Sequence, residues 1–367
     1  MKITLLSFDL SHNCLGRAYL LAKVLERRYE IEIIGPTFGK GIWNPVDTGE
    51  FHYKSVPGVM YPFFLSSINK ILRSISCDVI YAIKPRPTSY GIGILKKIQS
   101  KLPLILDIDD WELGFCQNIK SKIRLSDPNS FLYTWLMEKS TFLADEITVS
   151  STFLQKKFGG NIVIHGRDTN AFDPSRFNRD SLREKWDLNS KKVVMFLGTP
   201  SQHKGLEDVI NALISLNRRD IIFLVVGAQD DSYTCHLKEL GGNRIKLIGM
   251  QPFHKVPEFL SMADLVVLPQ HKSDNAIGQV PAKVFDAMAM AKPIIASRVS
   301  DLPEILDGCG MIVEPSDIEG LSECINYILD NEKEAQIIGS NAREKCIKEY
   351  SFDAIENVLT GIFDKYA

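Results

Sequence analysis

Short aliphatic runs separated by longer amphipathic segments recur along this chain, and that rhythm restricts its fold more than any other feature. Six runs fall in the first half: Lys2–Leu6, Ile31–Ile34, Val79–Ile83, Leu104–Ile108, Glu146–Val149 and Ile162–His165. Six more follow at Val193–Leu197, Ile221–Val226, Ile245–Ile248, Asp264–Leu268, Pro293–Ala296 and Met311–Val313. Strands rich in Val, Ile and Leu that alternate with helical segments predict parallel sheets covered on both faces. Two such sets in 367 residues predict two doubly wound α/β domains. Ligands of such sheets bind beyond the carboxyl ends of the strands, so the loops after those runs are where chemistry belongs.

The most informative of these loops joins Asp264–Leu268 to Pro293–Ala296. A polar, glycine-containing stretch leads into a helix expected to open at Pro281, because proline is favoured at the first helical position. Val284, Ala287, Met288 and Ala291 fall at i, i+3, i+4 and i+7 and form the expected buried stripe. Lys283 and Asp286 share a different face. A cation in the first turn opposes the helix dipole. Two readings follow: a phosphate held there compensates Lys283, or Lys283 and Asp286 form a solvated ion pair of small value.

Other loops carry further candidates. The loop Asp9–Gly16 precedes a helix expected at Arg17–Arg28, and Gly16 would let backbone approach a ligand. His12 reads either as a contact group or as an ordinary loop histidine. Lys84 and Arg86 lie on a stiff K-P-R-P loop, where they either meet an anionic acceptor or are solvated. Three aspartates close the run at Leu104–Ile108: alternation puts Asp107 and Asp109 on one side and Asp110 on the other. One of them capping the next helix is the alternative. Clustered acids also suggest a metal, but no third well-spaced ligand stands out. The segment Phe196–Leu206 (FLGTPSQHKGL) runs from strand through small residues to helix, the context an anion site needs.

Composition narrows the function classes. A formal net charge of −2 gives no support for a nucleic-acid partner. The seven cysteines are odd in number and lack C-x-x-C spacing, which suits reduced thiols in a cytoplasmic protein. MKITLLSFD is too short an apolar run for a signal peptide, and no apolar stretch of about 20 residues spans a bilayer. Gly58–Ile75 mixes aromatics with Lys70 and Arg73. It reads either as a core helix with its entry loop or as a membrane-surface segment, so peripheral contact of the N-terminal domain with the inner membrane face stays open.

The segment P-x-K-x-F-D-A-M-A-x-x-K-P-I-I-A-S resembles the donor site of the retaining GT-B glycosyltransferases of family 4. The resemblance covers nearly the full chain and is strongest in Val193–Glu304. In that family the helix carries the second acid of an E-x7-E motif that grips the donor ribose; Asp286 matches it. The first acid would fall at Gly278, which has no carboxylate; Asp274 is the nearest substitute. The loop Gly278, Gln279 and Val280, with Gly16, then belongs to the donor site. Family members hold the diphosphate with Arg at the position of Thr199 and Lys at that of Lys204, and the nucleobase near Met250. Asp109 stands where many members carry a histidine close to the reacting sugar.

The resemblance therefore implies a GT-B fold: two Rossmann-like domains, 1–172 and 173–350, with a cleft between them and a C-terminal helix, 351–367, returning to the first. It implies a retaining, metal-independent enzyme of hexosyltransferase type, without cofactor, moving sugar from a nucleotide-sugar to a glycan, lipid-linked or small-molecule hydroxyl. Asp109 and His12 would act at the reacting centre, Lys84 and Arg86 on the acceptor, and Lys204, Lys283 and Asp286 on the donor. A nucleotide-sugar epimerase on the same fold, or a non-enzymatic nucleotide-sugar-binding subunit, are the alternatives.

Overall fold

Aliphatic residues dominate both sheets of the computed structural model, which describes residues 1–115 and 124–367; Cys116 lies outside them. Every strand pairing in both sheets is parallel. That arrangement requires strands buried on both faces, and the residues supply it: β4 and β5 are buried along their whole length.

The chain divides into two units. One comprises Met1–His165, Gly278–Val280 and Ile355–Ala367; the other comprises Gly166–Ile277 and Pro281–Ala354. The first holds β1 (Lys2–Leu6), β2 (Glu30–Thr37), β3 (Tyr53–Pro57), β4 (Val79–Ile83), β5 (Leu104–Ile108), β6 (Glu146–Val149) and β7 (Asn161–Ile162). Their order across the sheet is β3-β2-β1-β4-β5-β6-β7. The second holds β8 (Lys192–Leu197), β9 (Ile221–Ala228), β10 (Ile245–Gly249), β11 (Leu265–Leu268), β12 (Ile294–Ser297) and β13 (Met311–Val313), ordered β10-β9-β8-β11-β12-β13. Both are doubly wound sheets, and the strand order reverses between β1 and β4 and between β8 and β11. The loops leaving those four strands are where a ligand belongs.

Helices α1 (Leu15–Leu25), α2 (Phe64–Ser74), α3 (Ile92–Ser100) and α4 (Phe131–Lys139) belong to the first unit. In its sheet β1 steps one way to β2, while the chain steps the other way from β3 to β4, β5 and β6. Right-handed crossovers therefore put α1 on one face and α2, α3 and α4 on the other. The last helix, Phe352–Phe363, ties residues 355–367 to the first unit. Arg27 Nη1 donates to Glu356 at 2.7 Å, the Tyr29 hydroxyl donates to Asp364 at 2.6 Å, and the rings of Tyr81 and Phe363 lie 5.3 Å apart.

Several expectations are corrected. Strand β3 went unread because Y-K-S-V-P is a half-exposed edge strand with no clear alternation. The run expected at Ile162–His165 pairs only over Asn161–Ile162. The first unit ends at His165, before the expected 172, because Arg167 is bound into the second unit. Its backbone N–H donates to Tyr350 O at 2.9 Å and its carbonyl accepts from Phe352 N at 2.9 Å. The helix expected at Pro281 starts at Lys283, after a turn in which Val284 N donates to Pro281 O. It shows no single buried stripe: every residue from Val284 to Met290 is buried.

Candidate functional site

At the carboxyl edge of the second sheet, β8 runs into a backbone shaped by glycine. Gly198 has φ +123°, and a Cβ there would come within 2.6 Å of Lys283 Nζ, so only glycine lets the amine sit against the strand end. Gly205, φ +66°, begins the helix Leu206–Leu216, and a Cβ on it would strike the Pro269 carbonyl at 2.0 Å. Between them, Lys204 Nζ donates to the Thr199 carbonyl at 2.5 Å. Thr199 thus serves the loop through its backbone. Met250 follows β10, beside Gln251, whose amide donates to Gly249 O at 3.2 Å.

Lys283 Nζ lies 4.0 Å from the centroid of the Phe196 ring. Among the described residues no carboxylate forms an ion pair with it; Asp286, three residues on, pairs with Arg167. Burial and the nearby charge of Lys204 hold the Lys283 pKa well below the usual lysine range, offset only in part by Asp286. The solvated Lys283–Asp286 pair is therefore not formed. His203, beside this amine pair, is kept neutral: burial, then Lys204, Lys283 and His271, bring it to about 4. Next to it His271 Nε2 pairs with Asp208 Oδ2 at 2.8 Å.

Asp286 is buried, and Arg167 Nε donates to its Oδ1. The same guanidinium donates to Ala282 O at 2.9 Å and Gly166 O at 2.7 Å. Arg167 was not identified as a partner from sequence. No local signal marks it, since Arg167 lies 119 residues from Asp286. Asp274 is exposed at the start of the short helix Asp274–Ile277. Gly278, Gln279 and Val280 group with the first unit rather than with the helix that follows them.

In the first unit the loops after β4 and β5 converge on an ion cluster. Lys84, φ +70° and buried, reaches Asp109 Oδ1 at 2.9 Å and Glu112 Oε1 at 2.7 Å, and also pairs with Asp110. Arg86 Nε donates to Glu112 Oε2 at 2.8 Å, and Arg86 Nη1 to Asn129 O at 3.0 Å. Lys84 and Arg86 are thus internal ion-pair partners, which corrects the picture of two cations held out toward an acceptor. The expected alternation of the aspartates also fails. Asp109 and Asp110 both meet Lys84, while Asp107 meets Arg17 through two hydrogen bonds of 2.8 and 2.9 Å. The strand ends at Ile108, and its two-residue period ends with it.

This environment separates the carboxyls chemically. Burial, opposed by Lys84 and reinforced by Asp110 and Asp107, raises Asp109 to about 7. Glu112, equally buried, is held at about 2 by Arg86 and Lys84. One acid is thereby set to exchange a proton near neutrality while its neighbour stays charged. His12 is exposed on the β1 loop, its Nδ1 accepting from Cys14 N at 3.4 Å. Gly16 lies inside the first turn of α1, where a Cβ would meet the Trp43 ring at 3.3 Å. Close packing of Trp43 accounts for that glycine without a ligand.

Residues 178–345, which lie in the second unit except for Gly278–Val280, match the family model described as glycosyl transferases group 1. The chain is similar to α-D-kanosaminyltransferase of Streptomyces kanamyceticus, 27% identical over 50% of this chain and 48% of that enzyme. The match thus spans about half of that relative's length. It is 24% identical to an uncharacterized glycosyltransferase of Methanocaldococcus jannaschii over 80% of this chain and 77% of the other. Among solved structures, Anabaena HepE in complex with UDP and glucose superposes with a TM-score of 0.78 at 17% identity, covering 99% of each chain. The fold is that of the GT-B glycosyltransferases.

Proposed function

We propose that this protein is a glycosyltransferase that takes a sugar from a nucleotide-sugar donor and passes it to an acceptor hydroxyl with retention at the anomeric carbon. The observation that carries the reading is the pair Lys204 and Lys283 at the carboxyl edge of β8, where a depressed lysine has no carboxylate partner among the described residues. A half-buried amine held against like charge favours an anionic ligand, and the diphosphate of a donor meets that requirement. The match of residues 178–345 to glycosyl transferases group 1 supports the same assignment. UDP in complex with the similarly folded HepE makes UDP-sugars the first donors to try.

In this reading Lys204 and Lys283 neutralise the leaving diphosphate, the main electrostatic demand of the transfer. They do so in place of a divalent ion, so chelator leaves turnover intact. Asp286, its first oxygen fixed by Arg167, offers the other to the donor ribose. Asp109 acts at the reacting sugar. Lys84 and Arg86 act on the acceptor side by setting the charge of Asp109 and Glu112.

Calorimetric titration of the purified protein with UDP-, GDP- and ADP-sugars, followed by NMR of the product's anomeric configuration, tests the proposal. Binding of one series and transfer with retention are expected. No binding at millimolar donor, an inverted product, an epimerised donor without transfer, or a turnover abolished by chelator and restored by magnesium each overturns the corresponding part.

A further inference from the structure

One face of the first unit carries an unusual surface. Helices α2, α3 and α4 share that face of the sheet, and direct contacts make it continuous. Lys96 Nζ of α3 donates to Leu72 O of α2 at 3.0 Å, and Lys97 Nζ donates to Leu143 O, just beyond α4, at 2.9 Å. The rings of Tyr61 and Tyr133 lie 5.7 Å apart and close the α2–α4 end. Each element points large apolar side chains into solvent. Phe63 is 75% exposed ahead of α2, Ile98 is 74% exposed on α3, and Phe142 is 79% exposed after α4. Leu65, Leu95 and Trp135 are exposed beside them.

Charge on this face is one-sided. Segments 58–76, 91–103 and 131–145 contain six cations and two acids: Glu138 is buried, and Asp145, exposed, pairs with Lys97 at 2.7 Å. The whole chain carries 43 Lys and Arg against 45 Asp and Glu, so the excess is local to these helices. Lys70, Arg73, Lys101 and Lys139 are all exposed.

We propose that this face, α2 through α4 with the turn at Phe142, seats the protein on an anionic lipid bilayer. Aromatic and aliphatic side chains enter the headgroup–acyl boundary, and the surrounding lysines and arginine meet lipid phosphates. Apolar tips ringed by cations, with Asp145 the one exposed acid beside them and already paired to Lys97, match that surface and would repel a second copy of the same face. The proposal is independent of the donor reading, because Lys204 and Lys283 lie in the other unit. It also enlarges the membrane-surface reading of Gly58–Ile75 to two further helices.

Co-sedimentation with vesicles of phosphatidylcholine alone, and of phosphatidylcholine mixed with phosphatidylglycerol, tests it on the full chain. Binding to the mixed vesicles only, weakened by salt, is expected. Lys101→Ala with Lys139→Ala should weaken it by about thirtyfold. Ile98→Asp with Phe142→Asp should abolish it while leaving the melting temperature and nucleotide affinity unchanged. No binding to anionic vesicles, equal binding to neutral ones, or loss of the apolar residues without effect overturns the proposal. So does a concentration-dependent dimer that Ile98→Asp dissolves, because the face would then be a protein interface.

Discussion

A lysine whose charge is disfavoured by its surroundings leaves a thermodynamic mark when its ligand arrives. Burial against Phe196 and the nearby Lys204 depress the pKa of Lys283, and no acid among the described residues is paired to it. Binding of a diphosphate restores the charged form, so the complex should take up protons at pH values above the free amine's pKa. Calorimetry of UDP binding in buffers of different ionisation enthalpy should show that uptake. Lys283→Met should remove it and weaken binding by about ten- to a hundredfold. Affinity independent of both pH and Lys283 would place the phosphates elsewhere. Glu112 gives the opposite case. Its folded pKa of about 2 lies below the ordinary 4.5, so its ion pairs stabilise the fold above pH 4.5, and that stability is lost as pH falls through about 2. Glu112→Gln leaves Lys84 and Arg86 less compensated and should cost about 3–5 kcal/mol near neutrality. Denaturant melts should show that difference shrinking below pH 4.5; a constant difference would mean packing rather than charge.

The second sheet, the loop after β8 and the helix Lys283–Ala289 together show what an element-level reading of sequence can reach. Aliphatic runs marked β1, β4, β5, β6 and β13 to the residue; for β4 and β5, buried on both faces, no other composition would serve, and β6 and β13 are read although partly exposed. The same logic missed β3, whose residues are half exposed at an edge. Lys283 was legible as a cation in the wrong part of a helix. The partner of Asp286 was not, since Arg167 lies 119 residues away and nothing local specifies that pairing. That buried pair should hold the entry of this helix in place, because Arg167 also binds the Ala282 carbonyl. Arg167→Met leaves a buried carboxylate alone and should destabilise the protein by about 3–5 kcal/mol. Adding Asp286→Asn to it should recover part of that loss. Strictly additive losses, measured by a double-mutant cycle in denaturant, would show that the two side chains do not stabilise each other.

Across the whole molecule, two doubly wound units of similar topology carry different chemistry at the carboxyl edges of their sheets. The second has amines and glycine-shaped backbone, and its residues match glycosyl transferases group 1. The first has a buried cation bridging acids, one of them raised to about 7. That these two edges also flank a reversal of strand order is visible only in the fold; sequence pointed to the loops that follow the strand runs. It could not show that Lys84 and Arg86 face inward, because a K-P-R-P loop reads equally well as solvated. This division predicts a separation of effects. Substitutions among the amines should act on donor affinity, whereas Asp109→Asn should act on turnover. Asp109→Asn keeps the side chain's size and removes the proton exchange near neutrality, so kcat should fall by about a hundredfold or more. Donor affinity by calorimetry should stay within about twofold, since the donor's diphosphate and ribose are assigned to Lys204, Lys283 and Asp286. The pH dependence of kcat should lose the inflection near 7 that a working Asp109 imposes. A parallel loss of nucleotide affinity, or a drop in melting temperature with kcat preserved in the folded fraction, would make Asp109 a member of the Lys84 ion cluster and nothing more.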